Sequence, residues 1–444
     1  MTATDRREAF RQPLSESARL HEHAKKVMPG GNTRTTVHLD PYPAYANRGH
    51  GALVVDAEGE ERYDFLNNYT SLIHGHADPD INAAVIEQLQ RGTAFGMPTP
   101  HEVELAQLIV DRIPSVEQLR FTNSGTEAVM SAIQAARAFT GRPKIAKFEG
   151  SYHGSYDYAG VSTLAPESVW DEPAPLSTAY YHGAPQGMLD DVVVLRYNDT
   201  EMMERLIESH KSELAAVLID PMPWRMGLIA GEAAFLERLR DLTRTHGIVL
   251  IFDEVISLRA AYGGVQSVVG VTPDLTTMAK IIGGGFPVGA VGGSAEIMAV
   301  FDPRGGKPKV PHGGTFSANP MTMVAGLTAM QKMTQQEFDR LEALGAYIRE
   351  GLAEAMDGAR VEGQVTGHGS LFGVHLHRRK LSDYRSSAGT PPERARVSAV
   401  YDGLLAHGII LAPQLTGCLS TPMTETEANL LLDAFSSALR ETEA

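Results

Sequence analysis

Ile248-Val-Leu-Ile-Phe252-Asp253-Glu254 is the stretch whose reading decides the fold. Five apolar residues without polar alternation read as a strand buried on both faces, the pattern of a parallel sheet covered by helices. The run delivers a carboxylate pair at its carboxyl end, where open α/β sheets place ligands. Outward from it, Ile145-Ala-Lys-Phe148, Val192-Val-Val-Leu195 and Ala215-Ala-Val-Leu-Ile219 are further apolar runs of strand length. Between strands lie helical faces marked by Ala106, Ile109 and Ile113 and by Ala128, Ile133 and Ala136. This alternation predicts an α/β fold with a mostly parallel central sheet between helix layers.

Downstream, Leu275-Thr-Thr-Met-Ala-Lys-Ile-Ile-Gly-Gly-Gly285 holds a lysine inside an apolar run. A lysine buried there is a candidate for covalent chemistry. Set beside Asp253, Lys280 points to pyridoxal phosphate: the amine would form a Schiff base with the cofactor aldehyde, and Asp253 would pair with the protonated pyridine nitrogen. Thr122-Asn-Ser-Gly-Thr-Glu127 lies between a short strand and a helix start, so Ser124, Gly125 and Thr126 would cup a phosphate with orphan amides and the helix dipole. Tyr152 and His153 follow the strand ending at Phe148 and would meet the pyridine ring, Tyr152 by stacking. Val255, two residues beyond Asp253, would press on the other face if the chain stays extended. Gly283-Gly-Gly285 is read as close packing after a helix-like or loop segment, since it lacks a dinucleotide fingerprint after a strand. In Gly313-Gly-Thr-Phe-Ser-Ala-Asn-Pro320, Thr315 could complete the phosphate site. Arg34 and Arg225 are candidate carboxylate clamps, because guanidinium binds carboxylate bidentately.

The rest of the chain limits the alternatives. A net charge of −15 over 444 residues offers no dense basic run for nucleic acid or an anionic membrane. A single cysteine, Cys418, fits a reducing cytoplasm, and no Cys/His array suggests a metal. The polar N-terminus and the lack of a long apolar stretch predict neither export nor membrane spanning. Residues 5–27 read as a surface helix ending at Pro29-Gly-Gly31, and Leu53–Phe65 as a hairpin. Residues 154–190, rich in Tyr, Pro, Ser and Gly, read as a lid, binding loop or disordered insert. One long helical passage is expected from Asn319 towards Met356, then strands near Val365 and Leu371–His375. A closing helix follows, with Ala428, Leu431, Leu432, Phe435 and Leu439 on one face behind a Thr424/Glu427 capping box. These elements divide the chain into an N-terminal segment 1–66, a large cofactor-binding domain 67–320 and a C-terminal small domain 321–444.

At these residues the chain resembles class III, fold-type I aminotransferases. Asn123-Ser-Gly-Thr-Glu-Ala128, Tyr152-His-Gly154, Phe252-Asp-Glu-Val255, Thr272-Pro-Asp-Leu-Thr-Thr277, Lys280-Ile-Ile-Gly-Gly-Gly285 and Gly314-Thr-Phe316 stand in family order. Pro29-Gly-Gly-Asn-Thr-Arg34 and Gly96-Met-Pro-Thr99 are most similar to the branch holding glutamate-1-semialdehyde 2,1-aminomutases and β-phenylalanine or β-amino-acid aminotransferases. The resemblance implies a smaller α/β lobe built from both chain ends and a homodimer with shared active sites, Thr315 reaching the partner's cofactor phosphate. It also implies ping-pong transfer of an amino group from an amine or β-amino acid to a keto acid, with Lys280 as Schiff-base residue and proton shuttle. Two positions depart from the family pattern. Pro413-Gln414 stands where many ω-aminotransferases carry a mobile arginine, and Trp224-Arg225 stands where small residues or asparagine are common. Trp224, Arg225, Arg34 and Gln414 are therefore the expected substrate residues. An aminomutase is the alternative, and a PLP-dependent lyase or a non-catalytic PLP-binding protein are more distant ones.

Overall fold

The protein is described here by a computed structural model covering residues 9–443. Near the N-terminus, α1 (Glu16–Ala24) is capped by Ser15, whose hydroxyl accepts from the Ala18 amide. It is shorter than the 5–27 expected, and residues 5–8 lie outside the described ones. The chain then forms β1 (Ala46–His50), β2 (Leu53–Asp56) and β3 (Glu61–Asp64), the last two making the expected antiparallel hairpin.

Seven strands make the central sheet: β4 (Gln118–Thr122), β5 (Lys144–Phe148), β6 (Val192–Leu195), β7 (Leu214–Ile219), β8 (Val249–Asp253), β9 (Leu275–Ala279) and β10 (Gly289–Gly293). Their order is β4-β10-β9-β8-β7-β5-β6. Neighbours from β6 through β9 pair in parallel, and β10 runs antiparallel to both β9 and β4. Every residue of β7, β8 and β9 is buried, which is why these strands carry no polar alternation.

Gly283 closes a short 3-10 helix, Lys280–Gly283, in keeping with the helix-like or loop reading, and that helix follows a strand the sequence did not single out, β9 (Leu275–Ala279). Its two threonines suit a strand because they are β-branched, and both hydroxyls find partners indoors. Thr276 Oγ1 lies 2.7 Å from Ser115 Oγ, and Thr277 Oγ1 donates to Asp253 Oδ1 at 3.0 Å.

After the sheet, the single helix expected from Asn319 to Met356 is two, α3 (Pro320–Lys332) and α4 (Gln335–Gly358), with α2 (Gly125–Thr140) lying earlier in the chain. Thr334 breaks the passage because its hydroxyl accepts from the Glu337 amide and starts a new helix. β11 (Gln364–Thr366), β12 (Leu371–His375) and β14 (Thr416–Cys418) form an antiparallel sheet, while β13 (Ile409–Ile410) lies parallel to β3. The smaller α/β lobe is thus built from both chain ends. α5 (Pro391–Ala406) and α6 (Glu425–Glu443) cover it. The α6 cap is half of the expected box: Glu427 Oε2 accepts from the Thr424 amide, but Thr424 Oγ1 accepts from Thr426 rather than Glu427.

The segment 154–190 is packed. Ala159 and Val161 are fully buried, Ser162 Oγ donates to Leu176 O and Ser177 Oγ to Val192 O. Arg385 joins it to the C-terminal lobe by donating to the Trp170 carbonyl and to both oxygens of buried Glu149. No helix among the described residues is long and apolar enough to cross a membrane.

One turn is strained. Asn67, Asn68, Tyr69 and Thr70 have φ of 48°, 49°, 55° and 74°, a left-handed turn without glycine. Such backbone costs about 1–2 kcal/mol per residue.

Candidate active site

Loops following β4, β5, β7, β8 and β9 converge at one edge of the sheet, because parallel strands put all their carboxyl ends there. β10 enters from the opposite direction, so its first residue, Gly289, lies beside Thr122 and Ala279. A Cβ on Gly289 would sit 2.1 Å from Ser124 O, so only glycine lets the loop before α2 close onto the sheet.

Asp253 ends β8, 4% exposed. Its Oδ1 accepts from the Val255 amide at 3.1 Å and from Thr277 Oγ1, and its Oδ2 lies 2.6 Å from His153 Nδ1. Burial lowers the His153 pKa, against the Asp253 contact that raises it. The neutral ring then donates from Nδ1 to the carboxylate, and His153 Nε2 is buried without a partner. Glu254 does not join Asp253. It turns away and accepts from the amides of Val265 and Gln266, while burial lifts its pKa to about 7.

The chain does not stay extended after Asp253, so that premise for Val255 fails: the Asp253 carboxylate caps the Val255 amide and bends the backbone into a turn. The Val255 side chain nevertheless faces α2, since a Cβ on Gly125 would lie 3.1 Å from both Val255 methyls.

Ser124 caps α2 by accepting from the Glu127 amide at 3.2 Å, and Glu127 reaches back to the Asn123 amide. This leaves the Gly125 and Thr126 amides at the helix start, where no earlier carbonyl of the helix serves them. The loop of Tyr152, His153 and Gly154 lies on this cup: Ser155 N donates to Thr126 Oγ1, and a Cβ on Gly154 would strike that oxygen. Tyr152 is 45% exposed at the site's open side. Ser317 Oγ accepts from Asn123 Nδ2 at 3.4 Å, which brings the Gly313–Asn319 loop to the cup. Thr315 is exposed, in a cavity of about 260 Å³ shared with Phe95, Met97 and Thr99.

Lys280 directly follows β9 with φ 53°. Burial lowers its pKa from 10.5 to about 8, Asp253 works against that shift, and Arg259 and Arg34 assist it. Its amine donates no hydrogen bond to any described residue. Arg34 is exposed and donates from Nη1 to Asn68 Oδ1 at 2.8 Å.

The other substrate candidates disperse. Trp224 is buried with Met222, Leu228, Ala260 and Cys418. Arg225 is exposed and lies within electrostatic reach of Lys147 and Tyr384. Gln414 is exposed in the turn between β13 and β14.

Sequence reasoning missed several buried groups. Asp220, at the end of β7, is pushed well above the carboxylate range by burial and then by Asp253. Arg259 is fully buried and donates to Ser370 Oγ, Thr70 O, Cys418 Sγ and Leu419 O. Lys147 is fully buried in β5. Its signal was available, a cation inside Ile145–Phe148, but the strand reading absorbed it.

This edge fits a phosphorylated pyridine aldehyde. It offers a helix N-terminus for the phosphate, a buried carboxylate with a neutral imidazole behind it, and an amine depressed towards neutrality. The comparisons agree. Residues 35–427 match the family model for class-III aminotransferases. An ω-transaminase from Sphaerobacter thermophilus is 62% identical, with a TM-score of 0.97 over 98% of this chain and 100% of that one. A β-phenylalanine aminotransferase from Variovorax paradoxus is 36% identical, with a TM-score of 0.87 over 98% and 96%. A glutamate-1-semialdehyde 2,1-aminomutase from Methanothermobacter thermautotrophicus is 38% identical, covering 93% of this chain and 96% of its own. The chain belongs to the class-III aminotransferases, pyridoxal-phosphate-dependent enzymes of fold type I.

Proposed function

We propose that this enzyme is an intermolecular aminotransferase that takes its amino group from a β-amino acid or bulky amine and passes it to a keto acid. The observation that carries this reading is Arg34: an exposed guanidinium close enough to Lys280 to help depress its pKa. A donor carboxylate held there would set the donor's amino-bearing carbon against the Lys280 amine. The 62% identity to an ω-transaminase favours the same reading.

When bound, pyridoxal phosphate supplies an aldehyde and an electron sink. Lys280 would hold the aldehyde carbon, and once released its amine would move the proton from the donor carbon. Asp253, oriented by His153 and Thr277, would hold the pyridine N–H. Ser124, Gly125 and Thr126 would hold the phosphate, with Val255 and Tyr152 flanking the ring. Thr315 would reach the phosphate of a second copy in a homodimer. Its exposure supports that placement, as do the neighbouring apolar side chains of Phe95 (47% exposed), Met97 (74%) and Phe316 (59%).

The 38% identity to aminomutases favours a second reading, an intramolecular exchange on glutamate-1-semialdehyde. Spectra separate the two. On the aminotransferase reading, 3-amino-3-phenylpropanoate alone converts the cofactor to its amine form, and pyruvate or 2-oxoglutarate restores it. An unchanged spectrum with every amine donor, alongside turnover of glutamate-1-semialdehyde, would establish the mutase. Arg34→Gln should raise KM for the β-amino acid about tenfold or more, the loss of a hydrogen-bonded charge pair.

A further inference from the structure

We propose that the left-handed turn Asn67–Thr70 is a specificity device that fixes the Arg34 guanidinium for a substrate carboxylate, with Asn68 as the positioning residue. The inference rests on the aminotransferase reading above and adds to it how the carboxylate site is held.

Non-glycine residues enter left-handed backbone singly, and asparagine is among the few that do so readily. Here four in succession do so, including the aromatic Tyr69 and the β-branched Thr70. The turn is no gain for stability on its own account: Asn67 Oδ1 and Thr70 Oγ1 are buried without a hydrogen-bond partner. It persists because it is tied from the protein side. Arg259 Nη1 donates to Thr70 O at 2.7 Å, Asn67 Nδ2 donates to Cys418 O at 3.0 Å, and Asp64 Oδ1 accepts from the Asn67 amide at 2.8 Å.

On the solvent side Asn68 is held locally by Ser71, and the turn's contacts beyond its own neighbourhood fall on the Arg34 segment. Asn68 Oδ1 accepts from Arg34 Nη1 at 2.8 Å, and the Tyr69 hydroxyl donates to Thr36 O. The turn therefore grips the side chain of Arg34 and the backbone two residues on. Beyond it, Leu72 lies against Gly285, where an added Cβ would be 3.1 Å from Leu72 Cδ2. The strained turn thus reaches the arginine directly, and Leu72, two residues beyond it, reaches Gly285 at the end of the glycine run after Lys280. Strain maintained by surrounding ties is a mark of functional sites, and a guanidinium held by one acceptor keeps its other N–H groups for a carboxylate fork.

Asn68→Gly tests this without threatening the fold, because glycine adopts this φ at little cost. Holoenzyme is assayed with 3-amino-3-phenylpropanoate and with 1-phenylethylamine, which lacks the carboxylate. The expected result is a rise of about tenfold in KM for the β-amino acid, without a matching rise for the amine and with kcat for the β-amino acid changed less than KM. Tyr69→Phe should move KM the same way by a smaller factor. Equal rises for both donors would make the turn merely structural and overturn the proposal. So would an unchanged KM for the β-amino acid in Asn68→Gly while Arg34→Gln raises it. If Arg34→Gln itself leaves that KM unchanged, the carboxylate reading falls, and the positioning role with it.

Discussion

Lys147 and Lys280 are two lysines of similar sequence setting and opposite surroundings. Each sits in an apolar run at the carboxyl end of a strand of the central sheet, and burial depresses both, to about 7 and about 8. Lys147 spends its amine on the protein. Nζ donates to Ser151 O at 3.0 Å, Val161 O at 2.5 Å and Thr163 Oγ1 at 3.3 Å, which ties the loop carrying Tyr152 and His153 to β5. Lys280 has the left-handed backbone, Asp253 nearby and no such ties. A fully buried amine with three oxygen partners is a clamp, and a half-buried one without them is available for chemistry.

The hardest blow to this contrast would come from the lysines themselves. Lys280→Ala should lower kcat by about four orders of magnitude, the loss of a positioned general base. Borohydride reduction of the holoenzyme should place the pyridoxyl label on Lys280, and a labelled Lys147 peptide would reverse the assignment.

Reconstitution of apoprotein with pyridoxal phosphate sharpens the contrast by pH. The neutral amine is the nucleophile, so the rate should rise with pH and level off above about 8, rather than climbing towards the ordinary 10.5. A profile that keeps rising to pH 10 would mean that Lys280 is not desolvated as described.

The smallest effect belongs to Lys147→Met. With the Val161 carbonyl left unserved and Ser151 O kept only by Thr163 Oγ1, stability should fall by about 1–3 kcal/mol, read by denaturant unfolding. Activity should fall less than tenfold. The folded Lys147 pKa lies below its unfolded value, so the unfolded chain binds more protons between about 7 and 10.5. This group therefore makes the wild type more stable as pH rises through that window, and the variant should lose that slope.

Much of the fold was legible because parallel strands buried on both faces leave unbroken apolar runs. β5, β6, β7 and β8 were readable for that reason. β9 was not singled out because its two threonines interrupt the apolar pattern, and their burial is explained by partners distant in the chain, Ser115 and Gln266 for Thr276 and Asp253 for Thr277. The helix break at Thr334 hides in the same way, as a local cap inside a helical period. At the candidate site, Asp253 and Ser124–Thr126 could be singled out from residue type and position, and the structure brings them to the same sheet edge. Glu254 looked equivalent to Asp253 and is not, since the turn after β8 sends one carboxylate to the site and the other to the amides of Val265 and Gln266.

By itself the sequence determined the α/β class and the dependence on pyridoxal phosphate, and it singled out Lys280 as the candidate to anchor the cofactor, because these follow from residue types at the ends of recognisable strands. Tertiary structure alone decided how Lys147 and Lys280 divide their labour, where Glu254 points, and that Asn67–Thr70 turns left-handed to grip Arg34. Each of these depends on partners far along the chain, such as Val161, Gln266 and Arg259. No local pattern encodes which distant carbonyl, amide or guanidinium a side chain will meet.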